Sequence, residues 1–130
     1  MNAKQRALRL ADYLEHMLEA SHLARAYIAD IDKTRFLETR MIQQAVLMNL
    51  VIIGESATQI RNEFPAFLEA NPDSALPWKN IIGMRNRMIH GYFDTDLEIV
   101  WNTVKTHLPT LEIQLAKLAA AAERQQGPDA

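Results

Sequence analysis

Apolar residues recur along this chain at the three-and-four spacing of an amphipathic helix, and no stretch alternates with the two-residue period of a strand. Ala7, Ala11, Leu14, Leu18, Ser21 and Ile28 follow the helical period over about residues 4–29, with Arg and Glu on the other side, which predicts a first long helix. Asp30-Ile31-Asp32-Lys33-Thr34 reads as a connection. A second helix is predicted over roughly residues 38–63, and it differs in kind. Met41, Ala45, Met48 and Ile52 form one stripe, and Val46, Leu50, Ile53, Ala57 and Ile60 form another. A helix apolar over most of its circumference is expected at the centre of a fold, buried by its neighbours. Pro65 and then Asn71-Pro72-Asp73-Ser74 punctuate a short helical turn and a loop. A third helix starts near Pro77, since proline is tolerated in a first turn, and its stripe is Trp78, Ile81, Ile82, Met88 and Ile89. Gly91 is expected to stop it in the left-handed conformation glycine takes just past a last turn. Asp94-Thr95-Asp96 supplies turn and N-cap residues for a helix carrying Leu97, Val100, Trp101 and Val104. Pro109 opens or kinks the last helix, whose stripe is Leu111, Leu115, Leu118 and Ala122. The fold class is therefore all-α: an up-and-down bundle of four principal helices plus short helical turns, one domain over residues 1–124, with 125–130 expected to fray.

Composition narrows the function more than the fold. The 130 residues are 48% hydrophobic and 23% charged, ordinary values for a single globular domain. A net charge of −2 makes the chain no polycation, so any nucleic acid must be held by a local cluster. Arg35, Arg40, Arg61, Lys79, Arg85 and Arg87 are candidates for such a rim, against the plain alternative of scattered solvated charges. The absence of cysteine removes disulfides, thiolate nucleophiles and zinc–thiolate sites together. Neither a signal peptide nor a membrane span can be read, and the expected location is the cytoplasm.

The candidate chemistry lies in Arg85-Asn86-Arg87-Met88-Ile89-His90-Gly91-Tyr92. Arg85 falls on the apolar stripe of the third helix, seven residues after Trp78 and four before Ile89. A guanidinium on such a face needs a partner or a purpose. Glu55 is the obvious partner, because it extends the Met41, Met48, Ile52 stripe and is itself a charge on an apolar face. His90 sits at the helix C-terminus, where the dipole favours a cation, and Tyr92 comes two residues later. On a straight helix Arg85 and His90 stand about 140° apart, whereas Asn86 and His90 share a face. A two-fold dimer packing two such helices would pool two arginines and two histidines in one cleft. That cleft suits a phosphodiester: arginine holds the phosphate as a planar fork, and histidine moves a proton at a ribose hydroxyl or leaving oxygen. RNA carries its own nucleophile, the 2′-hydroxyl, so neither metal nor cofactor is needed. Taken singly, each residue has a plainer reading, as an ion pair, a helix-end cap, and a stop with an anchoring aromatic.

Other constellations are weaker. His16 and His22 lie six apart and do not share a face. The Asp30/Asp32 and Asp94/Asp96 pairs have the spacing of metal ligands, yet flank helix boundaries where capping is the stronger reading. Gly54, Gly83 and Gly91 are isolated and form no phosphate loop. Met41, Met48, Met84 and Met88 are expected to fill the core and a helix–helix dimer seam.

Ile52-Ile53-Gly54-Glu55-Ser56-Ala57, Pro77-Trp78, Ile81 to Arg87, His90-Gly91-Tyr92-Phe93 and Asp96 to Trp101 closely resemble the HepT-like proteins of the HEPN superfamily, from the first helix to about Leu115. The resemblance implies a toxin of a bacterial toxin–antitoxin pair, a metal-independent ribonuclease acting as a homodimer with Arg-x4-His motifs meeting at the interface. Carried over, Arg85 would hold the phosphate, His90 would transfer protons, and Asn86 would orient substrate or His90, with Arg87 beside it. Tyr92 matches the tyrosine that the antitoxin, a minimal nucleotidyltransferase named MntA, modifies with AMP to silence the toxin. A second class of reading is a non-catalytic partner module, whose cleft binds a nucleotide or the nucleotidyltransferase. A third, a purely structural helical dimer, leaves Arg85 without explanation.

Overall fold

The first helix, α1 (Ala3–Tyr27), starts in a reciprocal cap: the Asn2 side chain accepts from the Gln5 backbone N–H at 2.8 Å, and the Gln5 side chain accepts from that of Asn2 at 3.0 Å. The computed structural model describes residues 2–72, 76–91 and 94–125. Leu14, Ser21 and Ile28 of the expected α1 stripe are buried, but Ala11 and Leu18 are only half-buried. A second line, Leu10, Met17 and Ala24, seven apart, is buried as deeply beside it, because α1 packs against two helices at once.

Residues 30–34 are not merely a connection. Asp32 accepts a hydrogen bond from the Arg35 N–H at 2.8 Å and caps α2 (Lys33–Glu38), which drives Phe36 into the core against Trp101, ring centroids 5.5 Å apart. Six residues are too few to display a period, so this helix left no pattern to read. The central helix is α3 (Arg40–Glu63). Its Val46, Leu50, Ile53, Ala57 and Ile60 stripe is buried as expected, between α1 on one side and, on the other, the motif helix α5 (Trp78–His90), which comes after the short α4 (Pro65–Ala70). Its other stripe is not buried by neighbours. Met41 is 76% and Met48 61% exposed, while Ala45 and Ile52 are half-buried, because no helix among the described residues covers that side.

On α5, Ile82 and Met88 are buried, Trp78 and Ile81 half-buried, and Ile89 is exposed. Gly91 stops the helix, its N–H donating to the Arg87 carbonyl at 2.8 Å, but not in the expected left-handed conformation: φ is −138° and ψ 44°. The Asp94 N–H donates to the Gly91 carbonyl at 3.0 Å.

Asp96 caps α6 (Leu97–Asn102), accepting from the backbone of Glu98 and Ile99. A single helical path then continues through a π turn (Thr103–His107) into α7 (Leu108–Gln125). Pro109, expected to open or kink the last helix, lies in the first turn of α7 within this unbroken path. Proline has no N–H to donate back to residue 105, and the turn immediately before it is the widened one. Helix α7 reaches Gln125, one residue past the expected boundary, and residues 126–130 lie outside the described residues. Helix α7 lies along α1, and its nearly buried Glu112 is clamped by Arg25 at 2.7 Å and His22 at 2.6 Å. The architecture is the expected all-α bundle, with no strand among the described residues. None of its described helices is long and apolar enough to cross a membrane.

Candidate active site

The site begins with a close approach of two backbones. A Cβ on Gly54 would stand 2.2 Å from the Cβ of Arg85, 2.7 Å from its Cγ and 3.4 Å from its Cα. Only a residue without a side chain lets α3 and α5 meet here. The next residue on α3 is Glu55, and the same approach brings its carboxylate to the Arg85 guanidinium. Nε of Arg85 donates to Glu55 Oε1 at 2.6 Å, Nη2 donates to that same oxygen, and Nη1 donates to Asn86 Oδ1 at 2.6 Å.

Three of the five guanidinium N–H groups are thereby committed, leaving two, one on each terminal nitrogen. Glu55 takes the Nε side, so the outer end of the fork is presented for a second anion. Arg85 side-chain exposure is 24% and that of Glu55 42%, so water screens the pair and its net contribution to stability is small, about 1 kcal/mol at most. Its consequence is orientation more than stability.

Asn86 and His90 stand four apart on α5, the spacing of one helix face. The Asn86 amide oxygen accepts from Arg85, because a long arginine side chain reaches around the helix to its exposed neighbour. His90 is the last residue of α5, exposed, and no hydrogen bond joins it to Arg85 among the described residues. Arg87 is exposed on another side of α5 and lines a depression together with His90. The one chain therefore unites Arg85, Glu55 and Asn86, and separately Arg87 and His90. Tyr92 lies outside the described residues.

The other candidates fall to plainer roles. Asp32 and Asp96 cap helices, and His22 binds Glu112. Arg35, Arg40, Arg61 and Lys79 are exposed and spread over α2, α3 and α5. No group of three or more His, Asp or Glu side chains able to hold a metal ion occurs among the described residues. Gly54 is the residue that sequence reasoning passed over. Its signal was a glycine inside an otherwise apolar helix, directly before a charge, where a helix former would cost less.

Comparison with known proteins bears on this geometry. A family model described as ribonuclease HepT-like matches residues 17–118, which include Gly54, Glu55, Arg85 and His90. A probable ribonuclease HepT of Thermococcus cleftensis is 36% identical over 107 residues, covering 82% of this chain and 93% of its own. A putative RNase of Methanocaldococcus jannaschii is 36% identical over 77% of this chain and 87% of its own. One of Caldanaerobacter subterraneus is 32% identical over 82% and 90%. No solved structure gives a significant match. With most of both chains aligned and the paired Glu55 and Arg85 inside the matched region, the chain belongs to the HepT-like ribonuclease family.

Proposed function

We propose that this chain is the toxin of a toxin–antitoxin pair: a cytoplasmic, metal-independent endoribonuclease whose site is completed between two copies. The observation that carries the reading is Arg85, fixed by Glu55 with two N–H groups left over, on the same helix end as His90. In the dimer cleft the Arg85 forks bind the phosphate and offset the charge that builds on its oxygens. His90 takes the proton of the 2′-hydroxyl, whose oxygen attacks phosphorus. The P–O5′ bond breaks, and the partner's His90 returns a proton to the leaving oxygen. The names of the relatives support RNA as substrate.

A second copy is supported by the uncovered side of α3. Met48 and Glu55 are seven residues apart, within about 20° of each other around the axis, and Met41 is seven before Met48. The exposed methionines thus share the face of the carboxylate that holds Arg85. Met48→Glu places a charge in that seam while leaving the core untouched. It is expected to convert a dimer to monomers in sedimentation at micromolar concentration, and an unchanged dimer would move the interface elsewhere.

Silencing obeys the same electrostatics. AMP added to Tyr92 by a MntA-like nucleotidyltransferase would set a phosphodiester two residues from His90 and occupy the anion site. The other reading is a non-catalytic module that binds a nucleotide or that transferase. Induced expression of the chain without its antitoxin decides between them. Growth arrest with accumulating RNA fragments establishes the nuclease; a folded, dimeric chain that arrests nothing and cuts no RNA establishes the module.

A further inference from the structure

Two adjoining depressions, about 530 and 480 Å³, run along α5 between it and residues 94–114. Met84, Arg87 and Ile99 line both, so the two form one groove. One end reaches His90, and the other reaches Asn80 and His107. Each half has the size usual for a site that takes a small organic ligand, about 300–1,000 Å³. Ile99, where the halves join, is a large aliphatic side chain left 59% exposed.

The charge in the groove is uneven. The half near His90 contains Asp94 and Asp96, the latter committed to capping α6. The other half has no carboxylate among its described lining residues, and Arg87 and His107 are the only ionisable groups among them, in a chain whose net charge is −2. Thr103 and His107, the first and last residues of the π turn, are four apart and both face this half. The Thr103 hydroxyl is already bonded to the Ile99 carbonyl at 2.8 Å, so the imidazole is the polar group that turn offers to a ligand.

We propose that this groove holds a ribonucleotide of the substrate strand, next to the phosphodiester that is cut. Its base lies on Met84 and Ile99, an apolar platform indifferent to base identity, and its edge meets the Asn80 amide, which both donates and accepts. Its phosphate lies between Arg87 and His107. Because the groove begins at His90, one extended strand passes from the reacting phosphate into it without leaving α5. The identity of the strand rests on the ribonuclease reading; the groove chemistry does not.

The test reads binding and not cleavage, so failure of the nuclease reading leaves its outcome intact. The full chain, methyl-labelled at Ile and Met, is titrated with a five-residue 2′-O-methyl oligoribonucleotide, which cannot be cut, and in parallel with AMP. Perturbation is expected at the Ile99 and Met84 methyls. Ile99→Glu and His107→Gln should each weaken oligoribonucleotide binding about tenfold or more, the scale of one lost base contact or phosphate contact. Ile113→Glu, the same change at a position 61% exposed on α7 and outside the groove, should leave it unchanged. Binding without response at Ile99, or no binding at millimolar protein, overturns the proposal. Equal affinity for AMP and the oligoribonucleotide overturns the strand and assigns the groove to a free nucleotide.

Discussion

Gly54→Ala is expected to lower RNA cleavage about a hundredfold, although the residue touches no substrate. The added methyl would stand 2.2 Å from Arg85 Cβ, against the roughly 3.5–4.0 Å at which two carbons rest. Helices α3 and α5 must therefore part by about 1.3 Å or more, since neither Cβ belongs to a flexible tip that can swing aside. Parting them moves the guanidinium off the Glu55 carboxylate that aims it, and an error of about 1 Å in a positioned group costs on the order of 10²-fold in rate. Alanine is the better helix former by about 1 kcal/mol, which offsets part of an overpacking cost of roughly 1–3 kcal/mol. The chain should thus remain folded, melting several degrees lower, with its activity lost well out of proportion. Wild-type cleavage at an unchanged melting temperature would mean that α3 and α5 do not meet as closely as the structure has them.

Gly54 marks the boundary of what was legible in the chain. The pairing of Arg85 with Glu55 was readable, because each is a charge on an otherwise apolar stripe and such charges find each other. So were the four principal helices, the capping roles of Asp32 and Asp96, and the buried Val46, Leu50 and Ile53 line. The closeness that makes the pair possible was not, since a glycine's reason for being in a helix belongs to the neighbouring helix. Met41 and Met48 show a different blindness. Periodicity reports that a face is apolar, and does not distinguish a face covered by the same chain from one left exposed. Helix α2 escaped for want of length, and the π turn because no residue of Thr103–His107 announces it before Pro109 does.

His90→Ala is expected to abolish growth arrest and to reduce cleavage by about 10²–10⁴, the range of a lost general acid or base. The same change should leave melting and dimerisation unaltered. His90 is exposed at the end of α5, and its ring enters no hydrogen bond among the described residues, so truncation vacates no core space and removes no hydrogen bond among them. If two copies each supply one histidine, a mixed dimer of wild type and His90→Ala retains a base or an acid but not both. Its rate should fall nearly as far as that of the double variant, well below half of wild type, because residues acting on one proton path are not additive. Half-maximal activity in the mixed dimer would show two independent sites, each complete within one chain. Arrest persisting in His90→Ala would remove His90 from the chemistry altogether. Arg85 would then remain a held cation in search of its proton carrier, and Tyr92, two residues beyond His90, would be the next group to test.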